Sequence, residues 1–174
     1  IPATNNRKWR PRSAINVVDE LEKFANHFNV QEFHIEDVNP TISDQRIRAI
    51  CQEIIKRNLN IVWKIAAGTK VETINNEETI RLMAKAGCRY ISISPETGSK
   101  KILKAIQKPF NHEHAQKLIT QMNQVGIYSQ ACFVIGFPGE EEGDRAMTWE
   151  LVKQMTKDGV DEIALFIITP VPGS

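Results

Sequence analysis

Short runs rich in β-branched residues alternate along this chain with stretches whose apolar residues recur every three or four positions. The runs begin near residues 32, 60, 89, 127 and 161. Each interval of about 28 to 38 residues has the length of one strand, one helix and two connections, the repeat of a βα unit. A chain of 174 residues written this way has room for a single hydrophobic core, and its class is α/β with parallel strands.

Local signals sharpen the elements. Ser13 caps a helix with Ile15, Val18, Leu21, Phe24, Ala25 and Phe28 on one stripe, and a strand follows at Glu32 to Asp37. A second helix starts near Ser43, places Ile47, Ile50, Cys51, Ile54 and Ile55 together, and leads to a strand at 60–66. A third spans about Asn76 to Ala86 and stops at Gly87, which suits the left-handed residue after a helix; its strand is Arg89 to Ser94. The fourth begins after Gly98 and Ser99 and must break at Pro109, which cannot donate to a helical ladder. Asn111 then caps a further helix with Ala115, Leu118, Ile119, Met122 and Val125 on its buried side. A strand at Ile127 to Ile135, a helix from about Gly143 to Lys157 and a strand at Asp161 to Ile168 complete five repeats.

Two architectures accept five such units, a doubly wound open sheet and a partial barrel. Phe33 and Ile35 alternate with Glu32, His34 and Glu36; Ile91 and Ile93 alternate with Tyr90, Ser92, Ser94 and Glu96. Helices on both sides of a sheet need two apolar faces, whereas one apolar and one polar face suit a partial (β/α) TIM-like barrel of parallel strands with a ligand in its lumen.

Composition removes several classes of partner. The 22 basic and 21 acidic side chains leave a net charge of +1 with no block of like charge, so neither nucleic acid nor membrane is suggested. No apolar run reaches the roughly 18 residues of a spanning helix, and Ile1 to Arg12 is polar and basic; the expectation is a cytoplasmic protein. Cys51, Cys88 and Cys132 are far apart and read as core residues in a reducing compartment. His112 and His114 lie two apart on a helix, which turns their rings about 200° from each other, and they read as solvated first-turn residues. His34 reads as a hydrogen-bonded barrel residue. Neither a metal ligand nor a catalytic residue is therefore assigned.

Working groups of β/α folds lie where strands end, and the five turns there are chemically marked. They gather the carboxylates Asp37 and Glu96, the amide and hydroxyls of Asn39, Thr41, Thr69 and Thr169, and the cation Lys70. That mixture suits a ribose and a zwitterionic amino-acid group.

Six stretches, in order, carry a resemblance to a known family. Arg10 to Ser13 with Asn16 to Glu20, Phe33 to Asn39, Met83 to Cys88, Ser94 to Ser99, Phe133 to Glu140 and Thr169 to Gly173 resemble successive landmarks of the radical SAM superfamily. The branch most like them holds cobalamin-dependent radical methylases and the anaerobic magnesium-protoporphyrin ester cyclase. The resemblance implies a [4Fe-4S] cluster that reduces S-adenosylmethionine to a 5'-deoxyadenosyl radical, which abstracts hydrogen from a small-molecule substrate in methylation or oxidative cyclisation. It also implies an electron donor such as flavodoxin or ferredoxin, and a cobalamin held, where used, by another domain. On the same basis Asp37 and Asn39 receive the methionyl amino group, and Lys70 stands where relatives often carry Arg for the methionyl carboxylate. Glu96 lies near the ribose, Gly136 along the adenosine, and Thr169 and Pro172 near the adenine.

The family's C-x-x-x-C-x-x-C loop has no counterpart here. The resemblance places it, with a first strand, ahead of Ile1, which makes residues 1–174 a core fragment of a longer multidomain protein, incompetent alone. Two other readings use the same mouth: a barrel lyase or hydrolase built on Lys64 or Lys70 with Glu36 and Asp37, and a non-catalytic ligand-binding barrel.

Overall fold

The structure, a computed structural model, describes residues 9–37 and 39–169. Helix α1 (Ala14–Phe28), strand β1 (Glu32–Ile35), α2 (Asp44–Lys56), β2 (Val62–Thr69), a 3-10 turn (Val71–Thr73), α3 (Glu77–Lys85) and β3 (Cys88–Glu96) form the first half. Then come α4 (Lys100–Ala105), α5 (His112–Gln124), β4 (Tyr128–Ile135), α6 (Glu142–Lys157) and β5 (Glu162–Ile167). The caps are those the sequence names: Ser13, Ser43, Asn76, Ser99 and Asn111 each accept a hydrogen bond from a first-turn backbone N–H.

All four strand pairings are parallel and the sheet order is β1-β2-β3-β4-β5. Strictly sequential order is what a barrel wall requires; a doubly wound sheet reverses direction at a switch point. The polar alternation therefore marks the concave side of a partial (β/α) barrel, and the expected class holds.

One face of the sheet makes the core. Trp63, Ile65, Ile91, Ile93, Ala131 and Phe133 meet Ile47, Ile50 and Ile54 of α2, Ile80 and Met83 of α3, Leu118, Ile119 and Met122 of α5 and Met155 of α6, all buried. Cys51 and Cys88 lie within this layer, fully buried, as small apolar residues do. Trp63 has the one polar atom of that group of side chains, and its indole N–H donates to the Ala86 carbonyl at 2.9 Å. Trp63→Phe is expected to cost about 1–3 kcal/mol, because the buried carbonyl is left without its donor. A lowered urea midpoint with an unchanged slope would show it.

Several boundaries differ from the sequence reading. β1 ends at Ile35, two residues early. β2 runs on through Thr69 with an irregular register between Ile65 and Thr69, and Gly68 sits there at φ +86°, so the residues read as a turn form a bulged strand end. β3 continues through Pro95, tolerated because pairing with β4 is also irregular between Ile93 and Glu96. α4 ends at Ala105, four residues ahead of Pro109, as Gln107 takes a left-handed backbone at φ +54°. The α1 stripe is only half buried: Val18 and Leu21 are covered, whereas Ile15, Phe24 and Phe28 are exposed. α1 overhangs the outer side of β1 and leaves a cavity of about 370 Å³ among Val17, Leu21, Phe24, Phe33, Ile35 and Trp63. The far margin is apolar too, with Leu165, Phe166 and Ile167 exposed on β5. No described helix is long and apolar enough to cross a membrane.

Candidate functional site

Because the strands are parallel and consecutive, their five C-terminal turns line one rim in chain order. Four interstrand steps of about 4.8 Å stretch that rim over roughly 19 Å, the reach of an extended nucleoside bearing an amino-acid tail.

At the β1 and β2 turns, Asn39 is a hub. Its Oδ1 accepts from Thr69 Oγ1 at 2.7 Å and from Thr41 Oγ1 at 3.0 Å, and Thr41 also meets Thr69 and Thr73 at 2.7 Å each. Thr41 and Thr69 are buried. The Asn39 oxygen thus ties two turns together. Asp37, one residue before the undescribed Val38, is exposed, and so is Lys70, which leads the 3-10 turn.

The β3 turn has the strongest functional signature. Glu96 is one of four non-glycine residues at positive φ among the described residues, at +66°, and the Thr97 N–H returns to the Pro95 carbonyl at 2.9 Å. Together these define a γ-turn of the strained hand, a conformation that functional positions retain against its cost. The Glu96 side chain is mostly buried, and Lys108, from the connection after α4, forms an ion pair with it. Sequence reasoning missed Lys108: it is twelve residues away, and only the break before Pro109 brings it back to the mouth.

The turn after Glu96 is anchored rather than loose. Thr97 Oγ1 lies 2.9 Å from Thr148 Oγ1, the Gly98 N–H donates to Thr148 at 3.1 Å, and Ser99 Oγ donates to Asp144 Oδ1 at 2.6 Å. Lys101, hydrogen bonding by Ser99 and the Glu141 N–H together hold the Asp144 carboxyl down from 3.8 to about 2. A depressed carboxylate stabilises the fold above its unfolded pKa, and that contribution is lost as pH falls toward about 2. Asp144→Asn is expected to flatten acid unfolding over this window, measured by circular dichroism against pH.

At β4, Gly136 has φ +86° and its N–H donates to Glu140 Oε2 at 2.6 Å, which closes the Gly136–Glu140 loop on itself. Glu140 was legible only as part of its motif. Its other carboxylate oxygen is buried without a partner among the described residues. Thr169, exposed, follows β5 with Oγ1 3.4 Å from the Ile167 carbonyl. Pro172 lies outside the described residues.

The lumen face below the rim is polar. Lys64 Nζ meets Glu32 at 2.5 Å, His34 meets Glu32 at 3.0 Å, Tyr90 Oη donates to Glu162 at 2.9 Å, and Ser92 Oγ donates to Gln130 at 2.9 Å. Burial foremost, then Glu162, pushes the Tyr90 phenol up. Lys64 is committed to Glu32 near the strand starts, at the opposite end from the mouth, which leaves the lysine-nucleophile reading without its first candidate. The helical histidines also have fixed partners. His112 meets Asp158 at 3.1 Å, and His114 Nε2 lies 2.9 Å from the Val71 and Ile74 carbonyls, so these are tethers rather than simply solvated residues.

The polar and charged groups at the mouth fit S-adenosylmethionine: carboxylates for hydroxyls and ammonium, lysines for a carboxylate. The same residues do not fit an iron-sulfur cluster. Burial raises the Cys51 thiol to about 12 and raises the Cys88 thiol too, Cys132 is on another strand, and no three candidate ligands converge among the described residues.

Comparisons with known proteins agree with the fold. The anaerobic magnesium-protoporphyrin IX monomethyl ester cyclase of Rubrivivax gelatinosus is 30% identical over 97% of this chain and 30% of its own length. The cytidylyl-2-hydroxyethylphosphonate methyltransferase of Streptomyces wedmorensis is 27% identical over 97% of this chain and 32% of its own. The chain thus spans about a third of the length of these relatives. Among solved structures, the radical S-adenosylmethionine methyltransferase TsrM of Kitasatospora setae, with cobalamin and a [4Fe-4S] cluster bound, superposes with a TM-score of 0.76 at 19% identity, over 90% of this chain and 29% of that one. The cobalamin-dependent radical enzyme OxsB gives 0.71 at 20% identity, over 83% of this chain and 23% of that one. The family model of the radical SAM superfamily matches residues 1–166, and the chain belongs to that superfamily.

Proposed function

We propose that this chain is the S-adenosylmethionine-binding core of a radical SAM enzyme of the methylase or oxidative-cyclase type. The observation that carries the reading is Glu96, a strained, mostly buried carboxylate at a strand end, paired with Lys108 and flanked along the rim by Asn39 and Gly136. When bound and reductively cleaved, S-adenosylmethionine supplies a 5'-deoxyadenosyl radical that abstracts a substrate hydrogen.

In this reading the chain's own residues bind and orient. Glu96 accepts from the ribose hydroxyls, and Lys108 neutralises the carboxylate until they arrive. Asp37 receives the methionyl ammonium, on a turn that Asn39 braces, and Lys70 faces the methionyl carboxylate as a point charge, without the fork of an arginine. Gly136, free of a side chain, lets the adenosine approach the backbone, and Thr169 lies toward the adenine end, to which the family resemblance also assigns Pro172. The polar lumen below receives a small-molecule substrate. None of these rim residues is a thiolate, so in this reading they hold S-adenosylmethionine and not the cluster, and the electron donor is a separate partner. The residue pattern of the mouth supports this over a lysine-based lyase or hydrolase.

The test is anaerobic reconstitution of the full-length protein with iron and sulfide, followed by assay for 5'-deoxyadenosine. Cluster-dependent formation is expected. A reconstituted protein that forms none would leave a non-catalytic ligand-binding barrel as the better reading.

A further inference from the structure

The turn that presents Glu96 is built on another unit of the fold. Thr97 and Ser99 are fully buried, and Asp144 and Thr148, on α6, are 5% and 2% exposed. Their hydrogen-bond count closes in one direction. Thr148 donates to the Asp144 carbonyl at 3.1 Å and accepts from the Thr97 hydroxyl at 2.9 Å and the Gly98 N–H at 3.1 Å. Thr97 Oγ1 in turn accepts from the Ser99 N–H at 3.1 Å. Asp144 divides its carboxylate: Oδ1 takes the Ser99 hydroxyl at 2.6 Å, while Oδ2 takes the Glu141 N–H at 3.0 Å and Lys101 at 2.8 Å. Glu141 follows directly on the Gly136–Glu140 loop. One buried polar clamp therefore joins the turn that carries Glu96 to the loop that follows β4.

We infer that Thr148 and Asp144 are positioning residues, which fix the γ-turn at Glu96 and set its register against the Gly136–Glu140 loop, so that ribose and adenosine are gripped together. The inference rests on the reading of Glu96 as the ribose contact. Positive φ at a glutamate is unfavourable unless its neighbours impose it. Here the Thr97 and Ser99 hydroxyls and the Gly98 N–H are committed to α6, and Thr148→Val would leave the Gly98 N–H and the Thr97 O–H without their acceptor.

The experiment is a double-mutant cycle on the full-length, cluster-reconstituted protein, with S-adenosylmethionine affinity measured by equilibrium dialysis. Thr148→Val is expected to weaken binding about tenfold in the wild-type background. In the Glu96→Gln background the same change should weaken it by about twofold or less, because the group it positions is already impaired. Thr148→Ser, which keeps the hydroxyl, should bind like wild type. An equal loss in both backgrounds, or none in the wild type, overturns the positioning role even where Glu96→Gln alone binds weakly and so supports the ribose contact. If Glu96→Gln binds as tightly as wild type, the ribose contact itself fails and the inference falls with it. Should Thr148→Val not fold, Asp144→Asn carries the cycle with the same outcomes.

Discussion

Gly98→Ala is expected to destabilise the protein by about 3 kcal/mol or more, among the larger effects a single methyl group can have. A Cβ at residue 98 would lie within 3.0 Å of the Met147 carbonyl carbon and oxygen and of the Thr148 Cα. All three are backbone atoms, so no rotamer change relieves the overlap, and α6 must move off the β3 turn. That movement would also break the Gly98 hydrogen bond to Thr148. Gly143→Ala is the control. Apart from its chain neighbours and its own helix backbone, nothing lies within 4 Å of a Cβ there, and the site is helical, so a change within about 1 kcal/mol, of stabilising sign, is expected. Urea unfolding of both variants in the full-length protein makes the comparison, and equal midpoints would contradict the packing described.

Glu96 should separate stability from binding. Glu96→Ala and Glu96→Gly both remove the carboxylate, and each is expected to weaken S-adenosylmethionine binding about 100-fold, as loss of a charge-assisted contact pair does. Their stabilities should differ. Alanine must adopt φ +66° at a cost that glycine does not bear, so the glycine variant is expected to be more stable than the alanine variant by about 1 kcal/mol. Thermal unfolding reads the difference. Equal stabilities would mean that residue 96 does not hold a left-handed backbone in solution.

Much of this was legible in the sequence because it depends on local rules. Cap residues, the stop at Gly87, the break around Pro109 and the alternation in β1 and β3 follow from hydrogen-bond needs and side-chain period. The mouth was legible as a set of turns for the same reason. What escaped depends on contacts distant in sequence: Lys108 returning to Glu96, Thr148 and Asp144 holding the turn after it, Glu140 closing the β4 loop. No period or spacing announces such pairs. The half-exposed stripe of α1 escaped because a helical pattern says which side is apolar and not what covers it.

The role of Glu96 is read most directly from a crystal structure of the full-length, reconstituted protein with S-adenosylmethionine. The ribose hydroxyls are expected within hydrogen-bond distance of Glu96, with Lys108 displaced from its ion pair and the adenosine along Gly136. A nucleoside bound elsewhere, with the Glu96–Lys108 pair intact, would contradict that role.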